Sequence, residues 1–475
     1  MKNMYILLIF VIIFIYIVNH KIINNILHHL FNSNNNYTIF DQINIFILNI
    51  IIVLRGILSP NCFWWSISDL LLKDGSGINL FNKFKQKQGD FPITYQYNKK
   101  IYLVTNIKHI KIILDNSPNI FSVGQLKNKY FNSFMSLNVG VSSGCPWKYR
   151  RLLNEKVLET DKLHRYSKKY NNYTFNILKN IHTNIFDFSI FTEIGKKMVS
   201  KIIFNENRIP DYIFTIFSQA DSVYNLYAKD FSIDPILKTK YNNYLKKHIK
   251  NPNNHSLVKL CVENIKNIKK CPFNQTQNNE TEILHQIPHF IFPMIGLYNS
   301  TIPQILLFLF NHKYILKKVI NEIKNLNNNN SYELTYLRKC IMETLRLNNL
   351  VVTTFRTLLK DYEFDNKYKF KKGDQFLILN SPILRQKDFF SEPNKFIPER
   401  WTEEIEKSYY AISFNQGPQK CPAKELAINL CQSFILNFFR IYGILDNPEK
   451  LKTKKINTDN VPQVINRCKI KIHIK

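Results

Sequence analysis

A mainly α-helical domain with a small β region is what the sequence predicts, and three observations carry that prediction. Apolar residues recur at three- and four-residue spacing over much of the chain, the period of a helix that buries one face. Alternating runs bounded by turn residues are confined to short stretches near residues 91–105 and 368–379. With 45% hydrophobic and 14% aromatic residues, the chain has ample material for a core, and 12 glycines in 475 residues are too few for an all-β fold.

The elements follow in order. Residues 4–18 (MYILLIFVIIFIYIV) form an unbroken apolar run between Lys2 and His20-Lys21, slightly short for a membrane span unless Ile22 and Ile23 extend it. No small-residue cleavage site follows, so residues 1–24 read as a membrane anchor and not as a cleaved signal. A second apolar stretch, 43–58, is interrupted by Asn44, Asn49 and Arg55; within a linker over 25–59 it is either a second span or an interfacial helix. From residue 60 to 475 the pattern is that of one large domain. Strands are expected over 91–97 and 101–105 about a turn at Asn98-Lys99-Lys100. Helices are expected over 107–115, 147–158, 303–326 and 336–347, with an Asn-rich loop at 325–331. A hairpin over 368–379 turns at Lys372-Gly373-Asp374. Residues 388–401 are irregular and rich in proline and aromatics, and a last helix runs from Pro422 to about Phe439.

The net charge of +30 does not imply a nucleic-acid partner. The lysines are dispersed, no nucleic-acid motif accompanies them, and Asn, Ile and Lys are overused throughout, a compositional bias. A basic surface still favours acidic proteins and anionic lipid headgroups. The eight cysteines lie at irregular distances with no CxxC pair, which is not a disulfide framework and suits a reducing compartment.

The chemically informative segment is Phe414-Asn-Gln-Gly417-Pro-Gln419-Lys420-Cys421-Pro422-Ala423. It sets one cysteine at a glycine-containing turn that feeds a helix. Pro422 suits the first helical position, which makes Cys421 the N-cap residue, where the amides and dipole of the helix favour thiolate. Gly417 permits a close backbone approach and Phe414 would shield the sulfur from water. Taken alone, a buried cysteine is more often inert core.

Glu343 and Arg346 are one turn apart on a predicted helix, a spacing common in ordinary surface pairs. The downstream run Phe396-Ile-Pro398-Glu399-Arg400-Trp401 could add Arg400 and complete a buried charge triad. Trp147 and Arg151, four apart on one helix face, make an indole N–H and a guanidinium available to a carboxylate, and Arg356 is a third candidate for the same anion.

Taken together, the strand pair, Trp-x-x-x-Arg, Glu-x-x-Arg, Phe-x-Pro-Glu-Arg-Trp and Phe-x-x-Gly-x-x-x-Cys-x-Ala resemble the cytochrome P450 family in order and spacing, over roughly residues 75 to 475. The resemblance implies a cytochrome P450 fold with haem b (iron protoporphyrin IX) and Cys421 as the proximal iron ligand. It also implies Glu343, Arg346 and Arg400 as the structural triad, and Trp147, Arg151 and Arg356 as haem-propionate partners. The implied activity is a monooxygenase using dioxygen, electrons from an acidic reductase and an apolar, lipid- or sterol-like substrate. The catalytic domain is expected to be cytosolic, tethered to a membrane at its N-terminus.

Two departures stand out. Gln419 occupies the position, two before the cysteine, where the family usually has a propionate-binding Arg or His. In the distal helix the family's acid–threonine pair falls on Ile295-Gly296-Leu297-Tyr298-Asn299-Ser300-Thr301, which holds no carboxylate. Asn299, Ser300 and Thr301 are the candidates for holding a water there, and none of them ionises to deliver protons. Pro288, Pro293 and Pro303 should each disturb a continuous helix. The missing acid keeps two further readings open: a peroxide-rearranging or dehydrating haem enzyme, and a haem-binding protein without turnover.

Overall fold

The computed structural model describes residues 81–82, 85–96, 99–123, 131, 134–217, 233–269, 278–327, 330–351, 353–462 and 465–475; the expected anchor and linker lie outside them. The first part holds β1 (Ile93–Gln96), β2 (Lys99–Leu103), α1 (Ile107–Asp115), β3 (Phe121–Ser122), α2 (Gly144–Leu158), α3 (Ser167–Lys179), β4 (Ile185–Phe186) and α4 (Phe188–Val199). Then come α5 (Pro235–Lys250), α6 (Leu257–Ile265), α7 (Asn279–Gly296), α8 (Ile302–Asn311), α9 (Lys313–Lys324) and α10 (Thr335–Leu347). The last part holds β5 (Thr353–Leu358), β6 (Tyr362–Phe364), β7 (Tyr368–Phe370), β8 (Gln375–Leu379), α11 (Asn380–Leu384), α12 (Glu403–Lys407), α13 (Lys424–Ile441), β9 (Leu451–Thr453) and β10 (Ile472–Ile474).

The helices share one large apolar core, to which α7, α8, α10 and α13 contribute buried faces. A smaller core, rich in phenylalanine, lies beneath a five-stranded sheet of order β1-β2-β8-β5-β3. Phe91, Phe364, Phe370 and Phe376 pack there with ring centres 4.9 to 6.2 Å apart, mostly edge to face or tilted, the geometry that aromatic quadrupoles favour.

The helix through the middle departs from expectation. Pro288 and Pro293 sit inside α7 without ending it, and a π-helical turn, Leu297–Thr301, joins α7 to α8. Pro303 has no N–H for the carbonyl four residues before it, and the wider turn just upstream accommodates that loss. Among the described residues, 279–311 is the one helical stretch long and apolar enough to cross a membrane, and it lies mostly buried inside the fold.

Four boundaries differ from the sequence reading. The helix expected over 303–326 breaks at His312, whose backbone leaves the helical region (φ −121°, ψ 79°) and whose ring bonds back to the Phe308 carbonyl at 2.8 Å. Lys99 and Lys100 belong to β2, which pairs with β1 from Ile93↔Tyr102 to Gln96↔Lys99. The expected 368–379 hairpin is two separate pairings. β7 folds back on β6 through left-handed Asp365 and Asn366, whereas β8 runs between β2 and β5 in the main sheet, redirected at Gly373 (φ +96°). Finally, α13 starts at Lys424 and not at Pro422.

Cysteine usage differs as well. Cys145 and Cys468 are each in a disulfide, against the reading of a purely reducing compartment, because sequence spacing does not reveal which cysteines the fold brings together. Cys261, Cys340, Cys421 and Cys431 are free.

Candidate functional site

Cys261, Cys340 and Cys431 are buried among apolar side chains, and among the described residues Cys421 alone of the free cysteines lies in a loop. That loop leaves a short 3-10 turn, Ile412–Phe414, passes left-handed Asn415 and Gly417, and closes where the Cys421 N–H donates to the Phe414 carbonyl at 2.8 Å. Residues 422 and 423 form a turn before α13, so Cys421 stands two residues ahead of the N-cap, which is Ala423. This corrects the expected N-cap position, and the turn has a use: the Ala423 N–H bonds to the Cys421 sulfur. Burial pushes the thiol up, while that N–H and the charges of Arg151 and Lys424 act in the opposite direction. Burial outweighs them, so a cation at the sulfur is what would make thiolate its resting form.

Helix α2 and the residue pair that follows it clasp the loop from one side. Arg151 donates to the Lys420 carbonyl at 2.6 Å and Thr160 donates to the Pro422 carbonyl at 2.8 Å. Gly417 is pressed against α1. A Cβ at that position would lie 2.6 Å from the Leu114 carbonyl oxygen, and φ is +72°, so both space and backbone require glycine. The close approach that Gly417 allows is therefore to protein backbone. Phe414 is half-buried against the large core.

On α10, Glu343 is fully buried and accepts five hydrogen bonds. Arg346 supplies two at 2.8 Å, Arg400 one at 3.1 Å, the Trp401 indole one at 2.9 Å and the Ile397 N–H one at 3.0 Å. Burial alone would raise this carboxyl, but Arg346 and Arg400 hold it below the usual carboxylate range. Arg346, also fully buried, uses its remaining N–H groups on the Leu384, Pro393 and Lys395 carbonyls. The three charged residues thus meet, and they fasten α10 to the irregular 388–401 segment. The sequence reading missed Trp401 as a partner of Glu343. Its signal was an indole directly after Arg400, beside a buried acceptor.

The anion candidates separate. Arg356, on β5, is buried, and among the described residues its partners are the Ser117 hydroxyl (2.9 Å) and the Phe355 carbonyl (2.8 Å). No carboxylate pairs with it among the described residues, and burial pushes its pKa down to about 10. A buried guanidinium in that state calls for an anion. Arg151 is committed to Glu155 at 2.6 Å and to the Lys420 carbonyl. Trp147 is buried on the same helix. The Gln419 amide oxygen is buried without a partner.

Across the fold, Asn299, Ser300 and Thr301 lie buried in the π turn, and the Asn299 amide oxygen has no hydrogen-bond partner. Gly296, one turn before, faces Leu350 in the segment after α10; an added Cβ would meet it at 3.2 Å. Tyr298 is on another face, over Gly195 of α4 and the Phe434 ring.

The family model for Cytochrome P450 matches residues 58–472. The chain belongs to the cytochrome P450 family. A solved cyanobacterial P450, CYP120A1 with retinoic acid bound, shares the fold with a TM-score of 0.63 at 16% identity, covering 86% of this chain and 96% of that one. Abscisic acid 8'-hydroxylase 2 of Arabidopsis thaliana is 32% identical over 160 residues, 31% of this chain and 33% of that protein. Cytochrome P450 3A15 of Cavia porcellus is 28% identical over 203 residues, 41% of this chain and 39% of that protein. The matched stretches therefore span well under half the length of these relatives.

A P450 holds haem, and the residues present fit it. Cys421 is a free thiol at a loop, with a backbone N–H on its sulfur, and Arg356 is a buried cation in want of a carboxylate such as a haem propionate. Further supports of the P450 loop went unread in the sequence. Arg338 bonds Glu406 at 2.9 Å and Glu425 at 2.6 Å, tying α10 to α12 and to the start of α13. Arg150 and Glu282, both buried, form a two-bond pair at 2.8 and 2.9 Å between α2 and α7. Each is an ordinary charge in the sequence, without a partner at helical spacing to mark it.

Proposed function

We propose that this P450 is a membrane-tethered monooxygenase that inserts oxygen from dioxygen into an apolar, lipid- or sterol-like substrate. The observation that carries the reading is the Cys421 loop, where one free thiol receives a backbone N–H and both flanking carbonyls are held from outside. Haem b bound through the Cys421 thiolate supplies iron chemistry in which thiolate donation favours O–O cleavage. Arg356 would neutralise a propionate, while Arg151 braces the cysteine loop through the Lys420 carbonyl. The Glu343, Arg346 and Arg400 cluster keeps the 388–401 segment in place, and the Arg338 bridges tie α10 to the start of the helix that follows the cysteine. Leu350 and Val351, partly exposed apolar residues after α10, together with Gly296, offer hydrophobic contact to a substrate. Lys420 of the cysteine loop is exposed, with Asp161 as its ion-pair partner, and with the basic net charge of the chain it suits an acidic reductase. The apolar run at residues 4–18 supplies the tether.

Asn299, Ser300 and Thr301 can hold a water and pass a proton along, but none releases one at neutral pH. That feature favours a second reading, rearrangement or dehydration of a lipid hydroperoxide, where the substrate brings its own O–O bond. Product formed per reduced nicotinamide consumed, with a reductase, separates the two. Under the first reading turnover is poorly coupled, and Asn299→Asp raises the coupling. Tyr298 is the wrong position for the added acid, since it faces Gly195 and Phe434. Turnover driven by a fatty-acid hydroperoxide alone, with none from reductase, would replace the first reading by the second.

A further inference from the structure

We propose that Asp90 and His109 bind a divalent cation of the zinc type, with Asp365 orienting the histidine. None of the three belongs to the cysteine loop or to the distal turn. His109, in α1, is fully buried, and its Nε2 lies 2.7 Å from an Asp365 carboxylate oxygen. A carboxylate only accepts, so Nε2 carries the proton, and in the neutral ring Nδ1 is a bare lone pair. That atom is buried without any hydrogen-bond partner and faces the Asp90 carboxylate at 3.8 Å. A buried lone pair facing a carboxylate oxygen, itself about a quarter exposed, is an unfavourable arrangement unless a positive charge lies between them.

The spacing suits a metal better than a hydrogen bond. Two ligand bonds of about 2.0–2.1 Å to a tetrahedral ion place their donor atoms about 3.3–3.5 Å apart. Asp90 and His109 need to close by only a few tenths of an ångström. The donor atoms of all three residues already lie within 4.8 Å of one another.

Both ligands are oriented by their surroundings. Phe91 stacks on the His109 ring with centres 4.8 Å apart, and Phe364 abuts it edge-on. The other Asp90 oxygen accepts from the Asn106 amide at 3.2 Å, and the Thr105 hydroxyl reaches the Asp90 carbonyl at 3.3 Å. Asp365 on the Nε2–H completes a carboxylate–histidine–metal arrangement, in which the second carboxylate fixes the tautomer. Asp365 stands in the β6–β7 turn, and the Asp90 carboxylate is about a quarter exposed, so water can fill the remaining positions of the ion. One imidazole and carboxylate oxygens suit Zn²⁺, whereas Mg²⁺ prefers an all-oxygen octahedron.

The test is calorimetric titration of ZnCl₂ into chelator-treated holoprotein, with MgCl₂ as the comparison. One Zn²⁺ site is expected, with no heat from Mg²⁺, and the holoprotein's melting temperature should rise with Zn²⁺. Asp90→Asn and His109→Gln should abolish that site, and Asp365→Asn should weaken it about 10–100-fold. If His109→Gln does not fold, Asp90→Asn decides, since a partly exposed carboxylate is exchanged there for its isosteric amide. Absence of stoichiometric Zn²⁺ binding, or equal affinity in wild type and Asp90→Asn, would overturn the assignment; in the first case a proton on Nδ1 is what holds Asp90.

Discussion

Replacing Glu343 with alanine removes one carboxylate and strands five donors at once: two from Arg346, one each from Arg400, the Trp401 indole and the Ile397 N–H. Both Glu343 and Arg346 are fully buried, so water does not replace the lost acceptor. Breaking a buried pair by deleting one partner costs about 3–5 kcal/mol. Arg346 retains three backbone carbonyls and the Phe390 ring at 4.9 Å, which argues for the middle of that range or below. With an unfolding entropy of about 2.1 cal/mol/K per residue over roughly 400 residues, a loss of about 4 kcal/mol lowers the melting temperature by about 5 °C. The haem-to-protein ratio should fall as well, because the segment that Glu343 anchors is part of the frame around the cysteine loop. Glu343→Gln keeps one acceptor oxygen and should lose less on both measures. Circular dichroism melts and a pyridine haemochrome assay provide the readouts. A melting temperature within about 1 °C of wild type, with full haem loading in Glu343→Ala, would refute the argument that this cluster is structural.

Cys421→Ser should abolish the red-shifted Soret band of the reduced carbonyl complex, while Cys340→Ser and Cys431→Ser should keep it; an unchanged spectrum at 421 would remove the ligand assignment. His164 supplies a pH prediction. It is fully buried, and desolvation lowers its pKa to about 4 despite the neighbouring Glu159. The unfolded chain therefore takes up this proton first as pH falls, so the contribution is complete above about pH 6.5 and declines towards pH 4. His164→Gln should flatten the fall of melting temperature over that interval, and an identical slope in the variant would assign the acid sensitivity to other groups.

Much of the fold could be read from the sequence because its strongest signals are local. Periodicity placed α1, α10 and most of α2 and α13, and Gly417 marked a turn that does need glycine. Elements decided by distant contacts were misread. The 368–379 hairpin has sound turn chemistry at Gly373, yet β8 is taken by β2 and β5, a competition among strands far apart in the chain. The prolines at 288 and 293 argued for a break in α7, and burial of that helix in the core overrode them. At the site, Glu343, Arg346 and Arg400 were legible because two of them share a helical turn. Arg356 could be named as a cation but not as an unpaired one, since pairing depends on what the fold leaves out of reach. Arg338, Arg150 and Glu282 stayed silent for the converse reason, each finding its partner across at least 68 residues.

The Pro422–Ala423 peptide unit is held at both ends, its oxygen by the Thr160 hydroxyl and its N–H by the Cys421 sulfur. Hydrogen bonds in series polarise one another, so donation at the oxygen makes the N–H at the other end a better donor. Thr160 therefore acts on the sulfur's electron density from the far side of a peptide plane, without touching it. If Cys421 holds iron as proposed, a hydroxyl just beyond the end of another helix would help set how strongly the sulfur donates to it. A change at Thr160 alone, just past the end of α2, would be felt at the proposed proximal ligand as a change in electronic character, with no atom of the cysteine loop replaced.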